Sequence, residues 1–236
     1  MSHSDAGSGV NGLTAGLPTT ARLSYVAAAL ADGISTLRGV NLDETACSIL
    51  QALAVLGVRT RVDESLMKVE IVGCAGHWPE GETDLECSTD AVLGILACAC
   101  CTGWGRYRLV DVPDNALVPD SGMMAALRDV GAELTCGESA GRLPLNIRAT
   151  GLMGTNVRIA SSRAGQWLGA FLVATACGRS DVFIEVAAET RSLDGLLPVL
   201  RLMEVFGVST IGPERGKIVV PAPQIYRAAD VDFSSR

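Results

Sequence analysis

The sequence predicts an α/β (α+β) fold: one lobe of three βαβαββ repeats, with very apolar helices buried inside and mixed sheets outside. Three observations lead there. Three phrases of one design, "LQALAVLGVRTR", "MAALRDVGAELT" and "LRLMEVFGVSTI", each run from an apolar helix through a glycine into alternating residues. Their glycines, Gly57, Gly131 and Gly207, lie 74 and 76 residues apart. A second set, ending at Gly33, Gly105 and Gly178, is spaced by 72 and 73 residues. Self-similarity at a fixed period marks a copied supersecondary unit. The chain is also 48% hydrophobic over 236 residues with only 4% aromatics, so Ala, Val and Leu must fill the core, as suits close helix packing.

The elements follow in chain order. Residues 1–14 read as a polar, flexible leader without a signal-peptide pattern, and the lobe is placed at 15–225. The first repeat (about 15–73) supplies a helix over Ser24–Ala31, the strand "STLRGV", a helix over Glu44–Leu56, and the strands "RTRVD" and "KVEIVG". Its opening strand is expected before Arg22. The second repeat (about 84–149) runs from "TDLEC" through a helix over Ala91–Cys101, "RYRLVDV", a helix over Ser121–Val130, "AELTC" and "LNIRA". The third (about 155–222) opens with "NVRIA" and a helix over Gly165–Gly178, where Gly178 is expected to take the left-handed turn that ends helices. "DVFIEVA", a second helix halted at Gly207, and a hairpin of "STIG" with "KIVVPA" complete it. Pro198 must kink that last helix or mark a later start.

Several function classes are excluded. No apolar run reaches the ~18 residues a membrane span needs. There is no phosphate-binding glycine loop or dinucleotide fingerprint, and a net charge of −7 leaves no nucleic-acid footprint. Cys98, Cys100 and Cys101 sit inside an apolar helix without a second cluster, so they read as buried hydrophobes and not as metal ligands. Eight cysteines with no signal peptide suit a reducing cytoplasm. His77 lies alone on a loop. No cofactor and no metal are expected.

"LADGISTLRGVNLDETACSILQALAVLGV", "GRYRLVDVPDNALVPDSGMMAALRDVGAEL" and "GTNVRIASSRAGQWLGAFLVATACGRSDVFIEV" together resemble the enolpyruvyl transferases, over roughly residues 15–236. The resemblance implies an inside-out barrel lobe, and an active site in the cleft between this lobe and a second one of the same design. It implies a transferase of aromatic amino acid biosynthesis whose partners are a shikimate-like cyclic acid and phosphoenolpyruvate. Residues 226–236 resemble the start of the crossover to that second lobe, which would come from a longer parent chain, a separate polypeptide or a second copy. The family's catalytic Lys, Asp and Glu then have no positions here, and the catalytic residues stay unknown.

Gln166 matches the glutamine of the family's Ser-Ser-Gln motif and is a candidate for substrate binding. Ser162 and Arg163, with Ser161, form a strand-to-helix turn that is either an anion site or a serine helix cap. Arg22 is the family arginine displaced by one position; it either holds a carboxylate or stands exposed before the first helix. Arg191 lies in a loop that faces the cleft in the family. Asp43 reads as a helix N-cap. Other signatures are rewritten. The family's Asn-Ser-Gly-Thr-Thr-Met-Arg segment is "CSTDAVL", with Ser88 kept, Thr89 for its glycine and Leu93 for its arginine. "DNALVP" keeps Pro119 and none of the family's arginines. Two alternatives to the family reaction are therefore open: a catalytically inactive binding or assembly module, and an elimination on a cyclic acid.

Overall fold

The computed structural model describes residues 18–76, 78, 81–137, 141–187 and 193–234. Six helices and twelve strands follow in the order α1 (Pro18–Leu30), β1 (Ile34–Arg38), α2 (Glu44–Val55), β2 (Arg59–Asp63), β3 (Lys68–Val72), β4 (Glu82–Cys87), α3 (Asp90–Cys101), β5 (Trp104–Asp111), α4 (Ser121–Asp129), β6 (Glu133–Cys136), β7 (Leu145–Thr150), β8 (Asn156–Ile159), α5 (Leu168–Thr175), β9 (Val182–Val186), α6 (Leu197–Val205), β10 (Ile211–Glu214), β11 (Lys217–Val220) and β12 (Asp230–Asp232). Short 3-10 turns at Ala164–Gln166 and Leu193–Leu196 lead into α5 and α6.

The strands form three four-stranded sheets of one topology: β12-β1-β3-β2, β4-β5-β7-β6 and β8-β9-β11-β10. In each, the first pair is parallel and the rest antiparallel. Burial alternates along β7 and β9, so each presents one face to the core and one to water. The helices α1, α3 and α5, each of which leads into the second strand of its sheet, are apolar on nearly every side. All eight residues of α5 are buried, as are ten of twelve in α3 and nine of thirteen in α1. A helix without a polar face has to lie inside: α5 packs on both α1 and α3, while α2, α4 and α6 pack around this core.

The opening strand of the first sheet departs from expectation. It is β12, near the chain's end, pairing Thr36 with Asp230 and Arg38 with Asp232. Among the described residues, 18–21 belong instead to α1, which begins six residues earlier than its apolar run. Polar Thr19, Thr20 and Arg22 hid that start, because they extend the helix without extending the apolar stripe. Buried Tyr226, Val231 and Phe233 hold the returning segment down, and the Tyr226 hydroxyl donates to the Val173 carbonyl at 2.9 Å. Three quarters of the first sheet is thus local in sequence and one strand is almost 200 residues away.

Gly57, Gly131 and Gly207 all follow a helix with positive φ (83°, 99° and 78°), in the left-handed region where a Cβ would clash. Gly178 is a correction: it is not left-handed. A side chain there would press on the Thr175 carbonyl at 2.9 Å, so close approach, not handedness, requires glycine. Pro198 marks a late start; it occupies the first turn of α6, where its missing N–H has no helical partner to lose.

Candidate functional site

α2 follows β1, α3 follows β4 and α5 follows β8, so each begins beyond the carboxyl end of a strand that belongs to a parallel pair. Side-chain contacts join the starts of α2, α3 and α5: Ser48 meets Ser88, and Arg163 pairs with Asp90. The carboxyl ends of the strands are where open α/β structures bind ligands.

The first unit contributes Arg22 and Asp43. Arg22, in the second turn of α1, donates to the Asp43 carboxylate at 2.7 Å. Asp43 is the N-cap of α2 as expected, its other oxygen accepting from the Ala46 amide at 2.8 Å. Partial burial pushes the Asp43 pKa up, but the Ala46 amide and the Arg22 guanidinium outweigh it and hold the carboxyl below its ordinary value. Arg22 therefore holds a carboxylate, but one from its own chain, and it does not stand before the helix. Its Nε and the hydroxyls of Thr20 and Tyr25 are buried without a hydrogen-bond partner among the described residues. Burial pushes the Tyr25 phenol far up, with Asp43 adding to the shift.

Ser48 on α2 meets Ser88 at 2.8 Å, and Asn115 donates to the Ser88 carbonyl at 2.9 Å. A recess of about 560 Å³ opens beside this serine pair, bounded by Glu44, Ser48, Gln51, Asp84, Glu86 and Ser88. Thr89 caps α3 by accepting from the Val92 amide at 3.2 Å. Asp90 follows as the first residue of α3, and Leu93 is buried at the position where the family motif has arginine.

The third unit's turn carries three of the candidate residues. Arg163 forms an ion pair with Asp90 at 2.9 Å, donates to the Gln166 side-chain oxygen at 3.2 Å and reaches the Val118 carbonyl at 3.4 Å. Arg163 and Gln166 are thus in contact, and Ser162 is exposed beside them. Ser161 is a correction to the capping alternative: it caps no helix. Its oxygen accepts from the Arg163 amide at 3.1 Å, closing a serine turn, and its hydroxyl donates to Asp120 at 3.0 Å. The start of α5 has no side-chain cap. Arg191 and His77 lie outside the described residues.

Asp120 was not legible as a site residue. It caps α4 by accepting from the Met123 amide at 2.8 Å, and it also accepts from the Trp167 indole at 3.0 Å. One carboxylate of the second unit thereby fixes the turn of the third that carries Ser162, Arg163 and Gln166. The "PDSG" phrase signals the cap, but nothing local signals a tryptophan 47 residues away.

The Cys98, Cys100 and Cys101 side chains are buried. Burial pushes the Cys98 and Cys100 thiols well up and that of Cys101 up to about 12. They behave as small hydrophobes.

The family model for EPSP synthase (3-phosphoshikimate 1-carboxyvinyltransferase) matches residues 16–231. The chain belongs to the EPSP synthase family. It is 31% identical over 213 residues to the 3-phosphoshikimate 1-carboxyvinyltransferase of Vibrio cholerae, covering 89% of this chain and 50% of that protein. It is 32% identical over 201 residues to the enzyme of the same name from Shewanella halifaxensis, covering 84% and 47%. EPSP synthase from Acinetobacter baumannii superposes with a TM-score of 0.79 at 18% identity, over 94% of this chain and 49% of that one; that likeness concerns the fold. The chain spans about half the length of the curated relatives it matches. Among the described residues no helix is long and apolar enough to cross a membrane.

Proposed function

We propose that this chain is one lobe of an enolpyruvyl-transferase-type enzyme and that its helix-start face binds a shikimate-like cyclic acid. A second lobe of the same design, from the same polypeptide, a separate one or another copy, would close over that face and bring the remaining catalytic groups. The observation that carries this reading is the contact of Gln166 with Arg163, on a turn anchored to Asp120, within a chain of this family. Gln166 and Ser162 offer amide and hydroxyl groups that suit ring hydroxyls, and the arginines suit a carboxylate. Eight cysteines suit a reducing cytoplasm.

The chemistry divides by what this lobe lacks. Leu93 cannot donate to a phosphate or a carboxylate as an arginine would, and Asp90 and Asp114 repel one. A lobe that retains the cyclic-acid face while losing phosphoenolpyruvate ligands supports the alternative of an elimination on the ring acid. Calorimetric titration with phosphoenolpyruvate and with shikimate-type acids, on the chain alone and mixed with a candidate second lobe, tests both. Binding of the ring acid is expected. Binding of phosphoenolpyruvate to the mixture would favour carboxyvinyl transfer, and no binding of any of these would leave only a non-catalytic module.

A further inference from the structure

We infer that the outer face of the third sheet is a self-association surface whose partner is a second copy of this chain. Two rows of side chains cross β8, β9, β11 and β10 on that face. The first row is Asn156, Phe183, Val219 and Ile211, which stand opposite one another in register. Phe183 is 49% and Ile211 62% exposed, with half-buried Val219 between them. Paired side chains on adjacent strands stand about 5 Å apart, so these three make one apolar patch and not scattered exposures. The second row is Arg158, Glu185, Lys217 and Glu214, also in register, with a bulge in β10 bringing Glu214 into line. All four are exposed, and their charges alternate in sign across the sheet. Among the described residues none of the four is in an ion pair. The other two sheets match charges within the chain, Lys68 with Glu70, Arg108 with Asp84 and Arg148 with Glu133.

The order of the charges specifies the partner. Read from β8 to β10 the row is plus, minus, plus, minus, and read backwards it is its own complement. A two-fold axis parallel to the strands, between β9 and β11, performs that reversal, and a symmetric dimer needs a surface that fits itself in this way. The axis sets Glu185 against the partner's Lys217 and Arg158 against the partner's Glu214, each contact occurring twice. It also lays Phe183 on the partner's Val219, with the two sheets aligned and about 10 Å apart. A shallow recess of about 310 Å³, bounded by Phe183, Glu185, Lys217 and Val219 among others, gives the facing side chains room. Strands of four or five residues make a patch of about 19 by 16 Å in plan. That is small for a protein interface, so the dimer is weak, with a Kd of about tens of micromolar. The two rows share no residue with the candidate site.

Sedimentation velocity on this chain at low salt, from about 5 to about 200 μM, tests the pairing. Wild type is expected to show a concentration-dependent monomer–dimer equilibrium. Glu185→Lys and Lys217→Glu, both at exposed positions, each set like charges face to face twice and should weaken dimerisation at least about tenfold. An equimolar mixture of these two variants should recover the wild-type affinity to within about threefold, because both contacts of the mixed dimer then join opposite charges. Phe183→Ser removes the apolar contact without touching the charges and should also weaken dimerisation about tenfold. Circular dichroism checks that each variant is folded. A wild type that is monomeric at about 200 μM overturns the inference. So do charge or Phe183 variants that dimerise like wild type, and so does a mixture that associates no more tightly than its separate components.

Discussion

Replacing Asp120 with alanine removes three acceptor contacts at once, and their separate magnitudes can be worked out. The N-cap bond to Met123 at 2.8 Å is worth about 1 kcal/mol when a capping aspartate becomes alanine. Trp167 is only 2% exposed, and its indole N–H would be left buried and unpaired, a loss of about 1–3 kcal/mol. Ser161 is half-buried and can turn its hydroxyl to water, so its loss adds little. The total is about 2–4 kcal/mol, a large part of the roughly 5–15 kcal/mol that holds a domain together. For a chain of this size that lowers Tm by roughly 4–16 °C. Urea melts followed by far-UV circular dichroism measure it. Asp120→Asn, which still caps the helix and still accepts from Trp167, is expected to lose less than about 1 kcal/mol. An alanine variant within about 0.5 kcal/mol of wild type, the range of neutral surface changes, would refute the reasoning. So would an asparagine variant as damaged as alanine, since charge and not hydrogen bonding would then hold the two units together.

Three other outcomes are expected. Gly73→Ala should destabilise by about 2–3 kcal/mol as an overpacked site, because a Cβ there would run into the Ala31 carbonyl of the α1 exit; a melt unchanged from wild type would show that this junction yields freely. Asp43 has a lowered folded-state pKa, so its stabilisation is complete above the unfolded value of about 3.8 and is lost as the pH falls through the lower folded value. Asp43→Asn should therefore flatten the stability curve between about pH 5 and 2 in chemical melts, and an unaltered acid limb would count against the pairing with Arg22. Iodoacetamide followed by mass mapping should label exposed Cys47 rapidly in the native chain. Cys98, Cys100 and Cys101, buried with raised thiols, should react only after unfolding.

Some features of this protein are local and were written in the sequence. The apolar runs of α3 and α5 have no polar face, so burial was the only outcome available to them. The φ of Gly57, Gly131 and Gly207 follows from ending a helix and turning at once into a strand. Asp43 caps α2 because a carboxylate just ahead of an apolar helical run finds a free amide three residues on. The family resemblance was likewise legible, because it rests on phrases in order along the chain.

Tertiary structure decided everything that joins distant segments. The strand beside β1 comes from Asp230–Asp232, and no periodicity in a three-residue stretch reveals its parallel partner. Asp120 looks like an ordinary cap until Trp167 and Ser161 are folded against it. Arg22 and Arg163 read as free cations until Asp43 and Asp90 arrive beside them. The physical reason is the same each time. Helix burial and capping depend on neighbours within a turn or two, whereas the pairing of each guanidinium depends on which carboxylate lies within about 3 Å of it, and only the packing of helices within a unit, for Arg22, or between units, for Arg163, sets that distance.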